Sequence, residues 1–121
     1  YINIQRSQKI VVEASEQSNR ISVPQILQIQ KLNNLLKNFP HNGNLIFCDI
    51  NCKSNNLLKK ISKDTTTCIL VGPEGDFSES ERQSIVDYKK ALPVSLGPNI
   101  LRSETAAIAA TTILSFQLNF K

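Results

Sequence analysis

The chain has 121 residues, 40% of them hydrophobic and 20% charged. That is enough for one domain with a real core, and too apolar for a disordered segment. Fourteen basic against ten acidic side chains leave a formal net charge of +4, which is compatible with RNA but equally with any mildly basic globular protein.

Cysteine and histidine usage narrows the field further. The cysteines are Cys48, Cys52 and Cys68, and the single histidine is His41, beside Pro40 in a polar turn. That is too few ligands for a usual metal framework, so no metal is expected. An odd cysteine count without a targeting signal points to a reducing, cytoplasmic setting. Cys48 and Cys68 lie in apolar runs and read as core thiols. The apolar run from Thr105 to Phe120 is shorter than the ~20 residues of a membrane span and carries Thr, Ser, Gln and Asn, so no membrane partner is expected. The chain opens on Tyr1 rather than methionine and is expected to be a fragment of a longer protein.

In chain order, Ser7 to Ser18 is predicted to be helical, with Ile10, Val11 and Ala14 as its apolar stripe. Glu16, Gln17 and Arg20 gather three polar groups at its end, which in a bland reading is only solvated. Ile21 to Ile26 is a short extended piece broken by Pro24. Ile26, Ile29, Leu32, Leu35 and Leu36 have helical spacing and predict a helix over Gln25 to Phe39. Leu45 to Ile50 is a nearly all-apolar strand, expected in the middle of a sheet. A polar loop and a short helix over Leu57 to Ile61 follow. Cys68 to Val71 is a second buried strand. Ser78 with Glu81 three residues on forms a capping box, so a helix is predicted from Glu79 to Lys90, acidic in its first turn and basic in its last. Leu92 to Leu96 is a third strand. The run from Thr105 to Phe120 is an uncharged helix, expected to bury itself against the sheet or a partner. Strands alternating with helices predict an α/β fold, a mostly parallel sheet with helices on both faces.

Two loops share one design. Gly72-Pro73-Glu74-Gly75 follows the second strand, and Gly97-Pro98-Asn99 follows the third; each leads into a helix. In open α/β sheets, ligands bind at such strand ends. Neither loop is a phosphate-binding loop, and no Gly-x-Gly-x-x-Gly occurs. With one histidine, no serine–histidine pair can be assembled. What remains is a crevice of backbone groups, with Glu74, Glu104 and Arg102 as charged groups and Leu70, Leu96, Ile100 and Leu101 as apolar walls. Glycines permit the close backbone approach that suits a flat adenine. Each residue also has a structural reading: Glu74 as a loop cap, Arg102 as a partner of Glu104 or a nearby acid, the glycines as turn formers.

Gly72 to Ser78, together with Ser95 to Ala107, closely resembles the bacterial 16S ribosomal RNA uridine-N3 methyltransferases of the SPOUT superfamily. Glu13 to Pro24 resembles the same family's helix before its first strand. The three matches fall in order and span nearly the whole chain. The resemblance implies residues 1–121 as a SPOUT-like S-adenosylmethionine-binding domain with a deep trefoil knot near its C-terminus, a feature composition cannot show. It implies S-adenosylmethionine as cofactor, 16S ribosomal RNA or the small ribosomal subunit as partner, and a homodimer. Carried over by position, Leu70, Gly72, Pro73, Glu74, Gly75, Leu96, Gly97, Ile100, Leu101 and Thr105 would line the cofactor. Arg102 and Glu104 would sit near the reacting atoms, and Glu16, Gln17 and Arg20 on the RNA side.

Two departures stand out. The family has a second glycine where Asp76 stands; aspartate tolerates a left-handed conformation but adds charge. The family's N-terminal RNA-binding β-barrel is absent from these residues, so the chain is expected to hold cofactor and grip RNA poorly alone. In the implied reaction, N3 of uridine loses a proton as it gains a methyl group, and a fixed cation, Arg102, stabilises the charge on the uracil oxygens. No residue stands out as the base. Alternatives are a SPOUT methyltransferase for another RNA position, a non-catalytic RNA-binding module of the same fold, and a purely structural dimer domain.

Overall fold

The computed structural model describes residues 2–18, 22–49, 66–73, 76–96 and 102–119, the last three as backbone only. The chain divides into two compact units, Tyr1–Lys31 and Leu32–Lys121.

The first unit is built on helix α1, Ile4–Gln17. It starts three residues earlier than its apolar stripe predicts, because Asn3 is an N-cap whose side chain accepts from the Arg6 amide at 3.0 Å. Ser15 is buried and donates to the Val11 carbonyl, while Ile10 of the expected stripe is exposed. The segment after α1 departs from expectation. Residues 22–31 are not helical, and Val23, Leu27 and Ile29 are exposed. Gln8 explains part of this: its amide donates to the Pro24 carbonyl at 3.2 Å and accepts from the Ile26 amide at 2.9 Å. Those backbone groups are satisfied by a side chain in place of a helical ladder.

The second unit carries the sheet. The predicted helix over Gln25 to Phe39 survives only as α2, Leu32–Lys37. Strands β1 (Gly43–Cys48), β2 (Thr66–Leu70) and β3 (Ala91–Val94) form a parallel sheet in the order β2-β1-β3. Leu45 pairs with Cys68 on one side and with Ala91 on the other. The central place of β1 accounts for its composition: Leu45, Ile46 and Phe47 are all essentially fully buried, as a strand covered on both faces requires.

Helix α3 spans Glu79–Asp87 and helix α4 spans Ser103–Asn119. The capping box of α3 is complete, with Ser78 accepting from the Glu81 amide and Glu81 accepting from the Ser78 amide. The helix ends at Asp87, before the lysines meant to close it. Tyr88 to Lys90 turn into β3 through an Ala91 amide bonded to the Tyr88 carbonyl, and Lys90 donates to the carbonyls of Pro40 and His41.

Successive residues of β1 face opposite ways. Ile46 clusters with Val94 and Leu114 of α4, and Cys48, Ile69 and Leu92 pack around them. On the other face Phe47 meets Phe77 edge-on, with ring centroids 5.8 Å apart. Helix α4 buries one stripe, Ala106, Ala110 and Leu114, at four-residue spacing. On its other side Ile108 is 68% exposed and Ile113 41%. The absence of charge therefore predicts a buried helix for only one of its sides. The predicted helix over Leu57 to Ile61 lies outside the described residues.

Candidate functional site

Three parallel strands send their carboxyl ends to one edge of the sheet, with the end of β1 between those of β2 and β3. The first glycine-proline loop leaves from that edge at Gly72, and the second follows β3 in residues outside those described. A direct contact reaches the first loop from α4: the Ser103 hydroxyl, at the start of that helix, donates to the Gly72 carbonyl at 2.6 Å. The start of α4 and the start of the first loop are therefore joined.

The first loop is tightly built. A Cβ on Gly72 would sit 3.2 Å from Asp76 Oδ1 and from two atoms of the Phe77 ring, closer than side chains ordinarily approach. The Asp76 amide donates to the Pro73 carbonyl at 2.8 Å. Asp76 has φ of 64°, a left-handed conformation that glycine adopts freely and aspartate tolerates. Its carboxylate accepts from the Phe77 amide at 2.8 Å, so the extra charge is turned onto the loop's own backbone.

The other candidates are placed unevenly. Leu70 and Leu96 are half-buried at the ends of β2 and β3 and supply apolar surface at the edge. Pro73 is exposed. Arg102, Glu104 and Thr105 are exposed where α4 begins, and the Arg102 carbonyl receives the Ala106 amide at 2.8 Å. Glu104 suits the positive end of the helix dipole, which is a structural reason for its presence; a cation at Arg102 does not. Among the described residues Arg102 and Glu104 form no ion pair, so of the two structural partners expected for Arg102, Glu104 is not the one. Glu16 and Gln17 are exposed at the end of α1 in the other unit. Glu74, Gly75, Gly97, Ile100, Leu101 and Arg20 lie outside the described residues.

One residue pair at this edge is absent from the motif analysis. Asp49, just past β1, has a buried carboxylate held by Arg82 of α3, with Nη2 to Oδ2 at 2.8 Å and Nε to Oδ1 at 3.4 Å. The bond to Asp49, and then its charge, hold the Arg82 guanidinium above its already high ordinary range. A charged residue closing an otherwise apolar strand was the available signal.

Burial pushes the Cys48 thiol up to about 11 and raises Cys68 as well. Both are therefore protonated and poorly nucleophilic at neutral pH, in keeping with packing roles. Among the described residues no three His, Cys, Asp or Glu side chains gather as a metal site, and no helix is long and apolar enough to cross a membrane.

The opposite edge of the sheet carries a shallow groove of about 550 Å³. Leu36, Phe39, His41, Tyr88 and Lys90 are among its lining residues. Phe39 and Tyr88 meet edge-on there, 5.9 Å apart.

A three-stranded parallel sheet with a glycine-proline loop at its carboxyl edge is the setting of the candidate site. The chain belongs to the RNA methyltransferase domain family, whose model matches residues 1–115. Among individual relatives, the Ribosomal RNA small subunit methyltransferase E of Rickettsia conorii is 38% identical over 112 residues, covering 90% of this chain and 45% of that protein. The Bacillus subtilis protein of the same name is 29% identical over 121 residues, covering 93% of this chain and 46% of its own length. The crystal structure of a Ribosomal RNA small subunit methyltransferase E from Neisseria gonorrhoeae, bound to S-adenosyl methionine, superposes with a TM-score of 0.87 at 32% identity, covering 95% of this chain and 48% of that one. A putative methyltransferase from Legionella pneumophila, in complex with the same cofactor, gives 0.81 at 29% identity over 93% of this chain and 45% of that one. The chain thus spans about half the length of the relatives it matches.

Proposed function

We propose that this chain is the cofactor-binding and catalytic part of an S-adenosylmethionine-dependent methyltransferase that modifies N3 of a uridine in 16S ribosomal RNA. The observation that supports the reading is the Ser103–Gly72 bond, which joins the start of α4 to the first loop at the carboxyl edge. Relatives named Ribosomal RNA small subunit methyltransferase E support the RNA substrate, and two similar structures with S-adenosylmethionine support the cofactor. Likeness to these structures also favours a SPOUT fold, with the C-terminal trefoil knot as part of the proposal. Residues 1–121 act as the SPOUT-like domain.

The residues at the edge fit the cofactor. Half-buried Leu70 and Leu96 offer apolar walls, and the tight Gly72 to Phe77 turn offers backbone groups to a nucleoside. Gly72, Pro73, Glu74, Gly75, Gly97, Ile100, Leu101 and Thr105 complete the proposed cofactor set. When bound, S-adenosylmethionine supplies a methyl group activated by its sulfonium. N3 of the uridine gives its proton to water or to a carboxylate such as Glu104, and negative charge spreads onto the uracil oxygens. Arg102, exposed and without an ion pair among the described residues, stabilises that charge. Glu104 lies beside it, and Glu16, Gln17 and Arg20 face RNA. The apolar side of α4, with Ile108 and Ile113 exposed, suits a second copy of the chain and hence a homodimer.

Calorimetric titration with S-adenosylmethionine tests the site, and a specific saturable heat is expected. Digestion of 16S RNA after reaction tests the position, with one uridine gaining a methyl group at N3. Absence of binding defeats the cofactor reading; a methyl group on another nucleotide moves the enzyme to another RNA position.

A further inference from the structure

The Asp49–Arg82 pair does more than join a helix to a strand. Asp49 directly follows the central strand, and its amide is bonded to the Val94 carbonyl of β3 at 3.0 Å. Arg82 lies in the first turns of α3, its amide bonded to the Ser78 carbonyl at 2.8 Å. Ser78 in turn directly follows the loop residues Asp76 and Phe77. The guanidinium fork therefore runs from a fixed strand end to the helix that carries the first loop. A second attachment lies beside it, where Phe77 sits edge-on against Phe47 of the same strand.

Stability alone gives little reason for such a pair. Burying a carboxylate costs desolvation that the ion pair offsets only in part, and apolar residues commonly do as well. The guanidinium stands near a helix N-terminus, where a cation is disfavoured. A forked contact supplies direction instead: it fixes the rotation of α3 about its axis, and with it the path of Asp76 to Ser78. We infer that Asp49 and Arg82 are a positioning pair, holding the Gly72 to Ser78 loop in its cofactor-binding shape from behind. The inference rests on the proposal that this loop is a cofactor wall.

The test uses Asp49→Asn, Arg82→Gln, Arg82→Lys and the double variant Asp49→Asn/Arg82→Gln. Each is followed by S-adenosylmethionine calorimetry and by amide hydrogen exchange at residues 76–78. The Asn and Gln variants are expected to bind about tenfold more weakly and to exchange faster at 76–78, with the double variant no worse than either single. Arg82→Lys, which keeps the charge but loses the fork, should fall between. Because Arg82 is 28% exposed, that variant also carries the test if Asp49→Asn fails to fold. Unchanged affinity and exchange, or additive losses in the double variant, overturn the inference, as does lowered thermal stability with both readouts intact. If the parent chain binds no S-adenosylmethionine, the cofactor reading fails, and exchange at 76–78 still decides whether the pair positions the loop.

Discussion

The two ends of one small sheet are built for different tasks. At the amino end, polar and aromatic groups are spent on closing the structure. Lys90 donates to the Pro40 and His41 carbonyls, and Phe39 and Tyr88 pack edge to face. A groove of about 550 Å³ remains, and of the two lysines that line it, Lys37 and Lys90, Lys90 is engaged by the protein's own backbone. At the carboxyl end polar contacts hold the first loop and the helices beside it: Ser103 on Gly72, Asp76 on the Phe77 amide and Arg82 on Asp49. Arg102, at the start of α4, stands exposed. The two ends differ in where their polar groups are directed.

The largest expected effect belongs to the carboxyl end. Arg102→Ala in the full-length enzyme should cut methylation by at least about 100-fold, the usual consequence of removing a group that meets developing charge, with cofactor binding retained. Methylation rates beside calorimetry check this, and an unchanged rate would take the role from Arg102. Next comes the amino end. Phe39→Ala removes a half-buried ring and should cost about 2–3 kcal/mol in denaturant unfolding. Cofactor affinity should hold, and a parallel loss there would collapse the distinction between the two ends.

Smaller effects sharpen the comparison. Ser103→Ala deletes the bond from α4 to the first loop, so unfolding free energy should fall by about 1 kcal/mol and cofactor binding should weaken about fivefold. The same unfolding and titration experiments read both. The smallest effect is expected of Asp76→Gly. Relief at the left-handed φ and loss of the bond to the Phe77 amide oppose each other, leaving stability within about 0.5 kcal/mol of the parent. A loss above ~2 kcal/mol on thermal unfolding would show that the carboxylate is worth more than its local bond.

Local signals were reliable where one short segment contains its own reasons. The capping box at Ser78 and Glu81 needs four residues and appears as written. The apolar run of β1 needs only burial on both faces, and it occupies the centre of the sheet. The left-handed turn at Asp76 follows from the loop motif and the tolerance of aspartate for that conformation. Helical spacing from Ile26 onward was misleading because Gln8, distant in sequence, captures the backbone of Pro24 and Ile26. The uncharged helix α4 concealed a one-sided burial, since composition does not say which side meets the sheet. The Asp49–Arg82 pair was illegible for the same reason: its partners are 33 residues apart and belong to no shared motif.

By itself, the sequence determined the alternation of strands and helices, the two glycine-proline loops and the cap of α3, because backbone sterics and hydrogen bonding within a few residues decide them. Only the tertiary structure decided that β2 and β3 flank β1, that Ser103 reaches Gly72, and that a buried carboxylate anchors Arg82. Those outcomes depend on which distant groups meet once apolar surface is withdrawn from water, and no local pattern encodes that meeting.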